Sequence, residues 1–340
     1  MKKTSTYIVF GILLLVASAL LNLSLGSVKI PLKEILNIIG FGESSKEAWN
    51  YIILDYRIPK MFTAILVGSG LGVSGLLMQT LFKNPLAGPY VLGLSSGASL
   101  GVALVIMGAG LFGVFLGAFI LSPWTIVIAA SLGSMLLLMA ILIASARLTD
   151  TMAILIIGLM FASLTGAVVS VLSYMSPAAQ LQQYVFWSLG SLGDLTYKEL
   201  AVLSLFWGLG MLLSVAGAKG LNALLLGDWY ARSLGLKLKQ NRFIVMIATA
   251  CMAGSITTFA GPIAFVGLAV PHLVRQITPS NNHFGLIPLV ALGGAIVMLL
   301  CDSIAQLPGS DYTLPINAVT SIFGAPVVIW LLVRRKRLIF

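Results

Sequence analysis

The residues that could do chemistry in this sequence are few and widely separated. Gly72-Val73-Ser74-Gly75 matches the G-x-S-G fragment around a nucleophilic serine, and His272 is the candidate base of a serine hydrolase. The match is short, and glycine packing between helices also explains it. His272 is expected near the edge of an apolar run, whereas Ser74 lies deep inside one. The pattern therefore gives a hydrolase little support.

Metal and redox chemistry have equally little support. Cys251 and Cys301 lie inside apolar runs without framework spacing, so we assign them packing roles. His272 and His283 are isolated, so no metal site and no bound cofactor are predicted. The sequence has no G-x-x-x-x-G-K-[ST] phosphate loop. Any energy from ATP must therefore come from another polypeptide.

The elements that position these residues are predicted to be membrane spans. Of the 340 residues, 59% are hydrophobic and 9% are charged, and the mean hydropathy is +1.05. A soluble domain carries about 25% charged residues. The ten acidic residues are too few to supply a charged exterior. We therefore predict an all-α integral membrane protein.

Charged residues divide the chain into apolar runs of membrane-spanning length. One span needs roughly 20 apolar residues, so the run 84–146 has room for two, with a break near 108–113 or at Ser122-Pro123. Ser176-Pro177 interrupts the run 151–193, which predicts one span and a short non-spanning segment. The ten predicted spans are 6–26, 58–82, 91–108, 124–146, 152–174, 199–217, 242–258, 263–277, 285–304 and 315–333.

The basic residues are distributed unequally between alternate loops. A cytoplasmic N-terminus places most of the 20 lysine and arginine residues inside, which is the positive-inside bias. Both termini are then cytoplasmic, and the net charge of +10 does not indicate a nucleic-acid partner. Lys2-Lys3 and Ala17-Ser18-Ala19 also resemble a cleavable signal peptide. The apolar run continues to about Leu25, however, and we favour a span.

Two strings of similar sequence indicate a possible internal repeat. Residues 87–94 resemble residues 260–268 with one residue inserted, and five predicted spans separate them. An odd number of spans reverses the orientation of the second copy, as in the inverted repeats of transporters. Spans 2–5 and 7–10 would then correspond, although chance similarity between glycine-rich segments explains the strings equally well.

Small residues are concentrated in the second and third predicted spans. In lipid they allow the backbones of two helices to approach closely. We therefore expect helix contacts at Gly68, Gly70, Gly72, Ser74, Gly75, Gly93, Ser95, Ser96, Gly97, Ala98 and Gly101.

Five motifs carry a resemblance that covers nearly the whole chain. In order they are Arg57-Ile58-Pro59-Lys60, the glycines of 68–75, residues 83–89 with 92–98, Gly227-Asp228 with 231–235, and residues 261–275. Together they resemble the FecCD-type permeases of ATP-binding-cassette (ABC) importers, whose cargoes are iron-siderophore complexes, haem and cobalamin.

This resemblance implies a type II ABC importer fold in which residues 1–340 form one transmembrane permease domain. The implied partners are a dimeric ABC ATPase, a second copy of the permease or a close paralogue, an extracytoplasmic substrate-binding protein and membrane lipid. ATP would be used by the partner ATPase, and a chelate would move inward by alternating access. The implied location is the bacterial cytoplasmic membrane.

The basic loop 218–241 is predicted to couple transport to ATP hydrolysis. Asp228 can cap a short helix that Gly235 ends, and such a helix can enter a groove of a partner. An amphipathic helix lying on anionic lipid is the alternative. By resemblance, the residues that contact the ATPase are Gly227, Asp228, Ala231, Arg232, Leu234 and Gly235.

The resemblance assigns three further sets of residues. Arg57 and Lys60, on either side of Pro59, would grip acidic residues of the binding protein, although a membrane-interface anchor also fits. The cytoplasmic gate would comprise Asn84, Leu86, Thr151 and Met152, although Thr151 could equally cap a helix and Asn84-Pro85 could simply turn the chain. Pro271, His272 and Arg275 would either touch the ATPase or end and anchor the eighth span.

An ion-coupled secondary transporter is the alternative function. Such proteins usually hold charged residues near the middle of the membrane. Asp194 and Asp302 are predicted near the outer ends of spans, which argues against ion coupling.

Overall fold

The computed structural model describes residues 2–42, 46–108, 123–146, 148, 151–193, 195–278, 281–307, 309–310 and 312–334. Within these ranges the regular secondary structure is helical and no strand is formed. The helices are α1 (Lys2–Ser24), α2 (Leu32–Phe41), α3 (Glu47–Tyr51), α4 (Ile58–Leu81), α5 (Leu94–Ile106), α6 (Pro123–Ala146), α7 (Thr151–Met175), α8 (Ala178–Ser188), α9 (Tyr197–Leu224), α10 (Asp228–Ser233), α11 (Leu238–Thr249), α12 (Ser255–Ala260), α13 (Val266–Ile277), α14 (His283–Ala305) and α15 (Ile316–Arg334).

Two π turns join helices into longer ones. Ile52–Arg57 links α3 to α4, and Ala250–Gly254 links α11 to α12. Seven of the described helical segments are long and apolar enough to cross a membrane: Ser5–Ser24, Glu47–Leu81, Trp124–Ser145, Met152–Met175, Tyr197–Leu224, Leu238–Ala260 and His283–Ala305. The prediction of an all-α membrane protein is confirmed.

The remaining three predicted spans are shorter helices. The apolar segments Leu94–Ile106 and Ile316–Trp330 correspond to the third and tenth spans, and the 12-residue α13 corresponds to the eighth. Both α5 and α13 begin later than predicted because an irregular turn precedes each. Gly93 (φ 67°) stands before α5 and Phe265 (φ 66°) before α13, and neither conformation continues a right-handed helix.

The connecting segments differ from prediction in two places. Helix α9 continues to Leu224, so the inner loop is shorter than 218–241 and Lys219 belongs to the helix. A lysine near the end of a span can reach the polar interface with its long side chain. The predicted outer loop 27–57 contains α2 and α3. The predicted break at 108–113 lies largely outside the described residues.

Helix α4 is the central element, because the helices α9, α11, α13 and α14 all pack around it. A Cβ built on Gly68 would lie 2.2 Å from Gly294 O, and one on Gly75 would lie 1.7 Å from Gly267 O. Pro271 has no N–H, which frees the Gly267 carbonyl from its usual helical partner. The predicted close backbone contacts are therefore confirmed at these glycines of α4.

The contacts of α4 define two ends of the molecule. We call the end at Lys60 the outer end and the end at Lys83 the inner end, following the predicted orientation. Asn22 of α1 and Asp302 of α14 lie at the outer end. Asp228 of α10 lies at the inner end. The predicted alternation of the spans is consistent with these contacts.

Candidate functional sites at the two ends of α4

A buried ion pair joins α4 to α14 at the outer end. Lys60 Nζ lies 3.1 Å from Asp302 Oδ1, and the two side chains are 11% and 3% exposed. Asn22 Nδ2 and Gln306 Nε2 donate to Asp302 Oδ2 at 2.9 and 2.8 Å. A carboxylate at this depth is stable only when it is paired and hydrogen-bonded, and Asp302 meets both conditions. The cluster ties α1, α4 and α14 together.

Arg57 lies beside this cluster and is also buried, with 6% of its surface exposed. Its Nη1 donates to Leu23 O at 2.6 Å, and its Nη2 donates to Val28 O at 2.5 Å. The guanidinium therefore binds the chain that leaves α1. This geometry favours an internal role over the predicted contact with a binding protein, which stays a prediction.

Two adjoining cavities open at the outer end. One has a volume of about 270 Å³ and the other of about 330 Å³, and Tyr56, Lys60 and Thr313 line both. Gln306 contributes to the first and Asp302 to the second. Polar side chains thus reach these cavities from the ion-pair cluster.

An exposed ion pair stands at the inner end of α4. Lys83 Nζ lies 2.5 Å from Asp228 Oδ1, and the side chains are 45% and 43% exposed. Asp228 is the first residue of α10, whose N-cap is Gly227 (φ 100°), and no side chain caps that helix. The prediction that Asp228 caps α10 is therefore wrong, because its carboxylate turns to Lys83 instead.

Helix α10 is short and presents large side chains to its surroundings. Within the helix Ala231 is fully buried, and after it Gly235 (φ 82°) donates its N–H to Arg232 O at 2.9 Å. Trp229 is 82% exposed, and Tyr230 and Leu234 are also exposed. Aromatic residues exposed on a short, anchored helix are typical of a protein interface.

The predicted gate residues stand on two segments. Asn84 Oδ1 accepts a hydrogen bond from Leu86 N at 2.9 Å, which forms a tight turn. The side chain of Leu86 is exposed. Thr151 begins α7, and the neighbouring Met152 is exposed.

Helix α7 closely approaches the 3-10 turn Pro89–Leu92 at Gly158. A Cβ built there would lie 2.0 Å from Val91 O. This contact brings α7 close to the turn that follows Leu86.

The inner end of α13 binds the same segment. His272 Nε2 lies 2.9 Å from Pro85 O, and Arg275 Nη2 donates to Thr80 Oγ1 at 3.4 Å. Pro271 is buried. These contacts support anchoring within the chain, and contact with an ATPase stays a prediction.

One buried polar cluster was not predicted. His283 Nε2 lies 3.0 Å from Thr80 Oγ1, and its Nδ1 lies 2.7 Å from Asn222 Oδ1. The cluster connects α4, α9 and α14 at the inner end. His283 and Asn222 are polar residues at the ends of apolar runs, which is the signal that the sequence offered.

The structure gives no support to the serine hydrolase. Ser74 is buried in α4, its Oγ has no hydrogen-bond partner among the described residues, and His272 bonds to Pro85 O instead. The described part of the chain also contains no group of three or more His, Cys, Asp or Glu residues placed to hold a metal ion.

This fold defines a helical membrane protein with two distinct ends. Polar side chains line the cavities at the outer end, which we call the outer rim, and the short helix α10 is exposed at the inner end. The family model of the FecCD transport family matches residues 14–334. The chain belongs to that family, and it is a multi-pass membrane permease.

Relatives of known description cover nearly the whole chain. The hemin transport system permease protein HmuU of Yersinia pestis is 34% identical over 328 residues, which is 96% of this chain and 95% of that protein. The vitamin B12 import system permease protein BtuC of Klebsiella pneumoniae is 34% identical over 334 residues, covering 96% and 93% of the two chains.

A solved structure has the same fold. It is described as an inward-facing conformation of a metal-chelate type ABC transporter, and it is 28% identical with a TM-score of 0.85. The match covers 97% of this chain and 100% of the other.

Proposed function

We propose that this chain is the membrane-spanning permease of an ABC importer that moves a metal chelate or a corrinoid across the cytoplasmic membrane. The relatives carry hemin and vitamin B12, and the structural neighbour is of the metal-chelate type. The observation that carries the proposal is α10, an exposed aromatic-bearing helix that is anchored to the end of the central helix.

The proposed partner of α10 is a soluble ATPase subunit. The helix is held against the rest of the chain by the buried Ala231, and it is flanked by Gly227 and Gly235, which both have positive φ. The side chains proposed to meet the ATPase are Trp229, Tyr230, Arg232 and Leu234. Two copies of the permease would assemble with two ATPase subunits, and the exposed apolar faces of α6 and α7 would meet lipid or the second copy.

The proposed cytoplasmic gate comprises Asn84 and Leu86 with Thr151 and Met152. At the opposite end, an external binding protein would deliver the chelate to the outer rim. Arg57 and Lys60 are held by internal partners, so we propose that they shape this rim by fixing α1 to α4.

The inverted repeat is proposed for spans 2–5 and 7–10. The two similar strings touch, since Ile263 N donates to the Tyr90 hydroxyl at 3.2 Å. A residue with positive φ precedes a short helix in each, namely Gly93 before α5 and Phe265 before α13. A pseudo-two-fold axis between the strings would produce this contact.

The function is tested by reconstitution with the cognate ATPase and binding protein in proteoliposomes. Haem, cobalamin and a ferric hydroxamate siderophore are offered separately, and uptake should depend on ATP for at least one of them. Uptake that follows an imposed proton or sodium gradient without the ATPase would contradict the proposal and favour a secondary transporter.

A further inference from the structure

Lys83 occupies a backbone position that ordinarily belongs to glycine. Its φ is 48°, where α4 ends and the chain reverses through hydrogen bonds from Lys83 N to Thr80 O and from Asn84 N to Gln79 O. A left-handed residue after a helix is usually Gly or Asn because a Cβ is strained there. A lysine at this position indicates that its side chain has a role.

The side chain of Lys83 reaches α10. Its ammonium pairs with Asp228 Oδ1 at 2.5 Å, although 145 residues separate the two in sequence. Both side chains are nearly half exposed, and pairs of that exposure contribute little to stability. The pair is therefore better suited to linking two segments than to stabilising the fold.

A second contact holds the segment that follows Lys83. Pro85 O lies 2.9 Å from His272 Nε2 of α13, and the turn between Asn84 and Leu86 connects the two attachment points. Residues 83–86 are thus held by α10 on one side and by α13 on the other. Leu86 projects from the segment between them as an exposed side chain.

We propose that Lys83 and His272 are positioning residues that connect α10 to the gate segment 83–86. This inference rests on the proposed function, since it assumes that α10 docks on the ATPase and that Leu86 belongs to the gate. When the ATPase moves α10, the Lys83–Asp228 pair pulls on the first residue of the gate segment. His272 holds Pro85 against α13, so the segment rotates about that contact and Leu86 changes position.

The test measures the ATP hydrolysed per molecule of probe transported in proteoliposomes, using whichever of haem, cobalamin or ferric hydroxamate the wild type takes up. Lys83→Gln is compared with Lys239→Gln, which removes another exposed inner lysine, and with Asp228→Asn. Lys83→Gly is included because it relieves the strained backbone while removing the side chain. His272→Ala removes the second attachment.

We expect Lys83→Gln, Lys83→Gly, Asp228→Asn and His272→Ala to raise this ratio about 5-fold or more, the lower range of energetic coupling between sites. Copurification of the ATPase and the thermal unfolding temperature should stay close to wild type for the Lys83 variants. The charge swap Lys83→Asp with Asp228→Lys should restore at least half of the lost coupling. These results would show that the Lys83–Asp228 pair couples α10 to the gate segment and does not merely stabilise the fold.

The inference is overturned if Lys83→Gln behaves like Lys239→Gln, or if the swap couples no better than the single variants. Failure of the proposed function would look different, because the wild type itself would then show no ATP-dependent uptake of any probe. If the wild type is active and the variants use no more ATP per molecule transported, only the proposed connection between α10 and the gate segment is refuted.

Discussion

Each end of α4 carries a lysine–aspartate ion pair, but one pair is buried and the other is exposed. Lys60 and Asp302 are buried at the outer end, and two amides hydrogen-bond to the carboxylate. Lys83 and Asp228 are nearly half exposed at the inner end, and the lysine backbone is strained. Burial makes an ion pair costly to break, whereas exposure makes it inexpensive to open and close. The outer pair therefore suits a fixed attachment, and the inner pair suits a movable one.

The largest expected difference follows from removing one carboxylate from each pair. Asp302→Ala leaves Lys60 charged and buried, which should lower the free energy of unfolding by about 3–5 kcal/mol. Asp228→Ala should lower it by at most about 1 kcal/mol. Thermal and chemical unfolding in detergent measures both. Equal effects of the two variants would contradict the comparison.

The two ion pairs can differ in this way only if α4 is a rigid connection between its ends. Gly75→Ala should lower the free energy of unfolding by about 1–3 kcal/mol, because the new methyl group meets the Gly267 carbonyl. Gly208→Ala in α9 is the matched control, since a Cβ there has open space. The control should be neutral or slightly stabilising. A harmless Gly75→Ala would show that α4 can shift against α13.

A smaller effect is expected when both members of the outer pair become apolar. Lys60→Met with Asp302→Leu removes the two charges together, and the double variant should lie within about 1 kcal/mol of wild type. Asn22 keeps the hydroxyl of Ser303 as a partner at 3.2 Å. The same unfolding assay applies. A double variant as unstable as Asp302→Ala would mean that the cluster needs the charge itself.

The smallest effect on stability should come from salt. Raising the salt concentration tenfold, to about 500 mM, screens exposed charges strongly and buried ones weakly. The ATP used per molecule transported should therefore rise in the wild type, while the unfolding temperature changes little. The ratio for Lys83→Gln should be insensitive to salt. A wild-type ratio that does not respond to salt would argue against the exposed pair as the link.

The sequence predicted the spans better than the side-chain partners. Charge-free runs and glycine clusters are local patterns, so nine of the ten predicted spans coincide with long or apolar helices and the glycines of α4 make the expected contacts. The remaining one, the eighth span, was predicted too long because the turn before α13 is apolar. Hydropathy does not distinguish an apolar turn from an apolar helix.

Site residues were identified by motif, but their partners depend on long-range packing. The motif located Arg57 at the start of α4, yet its acceptors are carbonyls at Leu23 and Val28. Asp228 was recognised as part of a short helix, while its partner Lys83 stands 145 residues away. A single sequence contains no information on such pairs, because nothing local to either residue specifies the other.

The two π turns determine where the chain could lose a residue without a change in its packing. Each holds one residue more than an α turn and absorbs it by widening, whereas one residue more or less in a regular α-helix turns the flanking side by about 100°. Trp49 of α3, upstream of Ile52–Arg57, packs against the core, as does Ile52 of the turn itself. On both sides of Ala250–Gly254 the helix is buried, at Thr249 and at Ile256. A one-residue deletion should therefore be tolerated better within either π turn than in the regular helix beside it, where it would rotate buried side chains away from their neighbours.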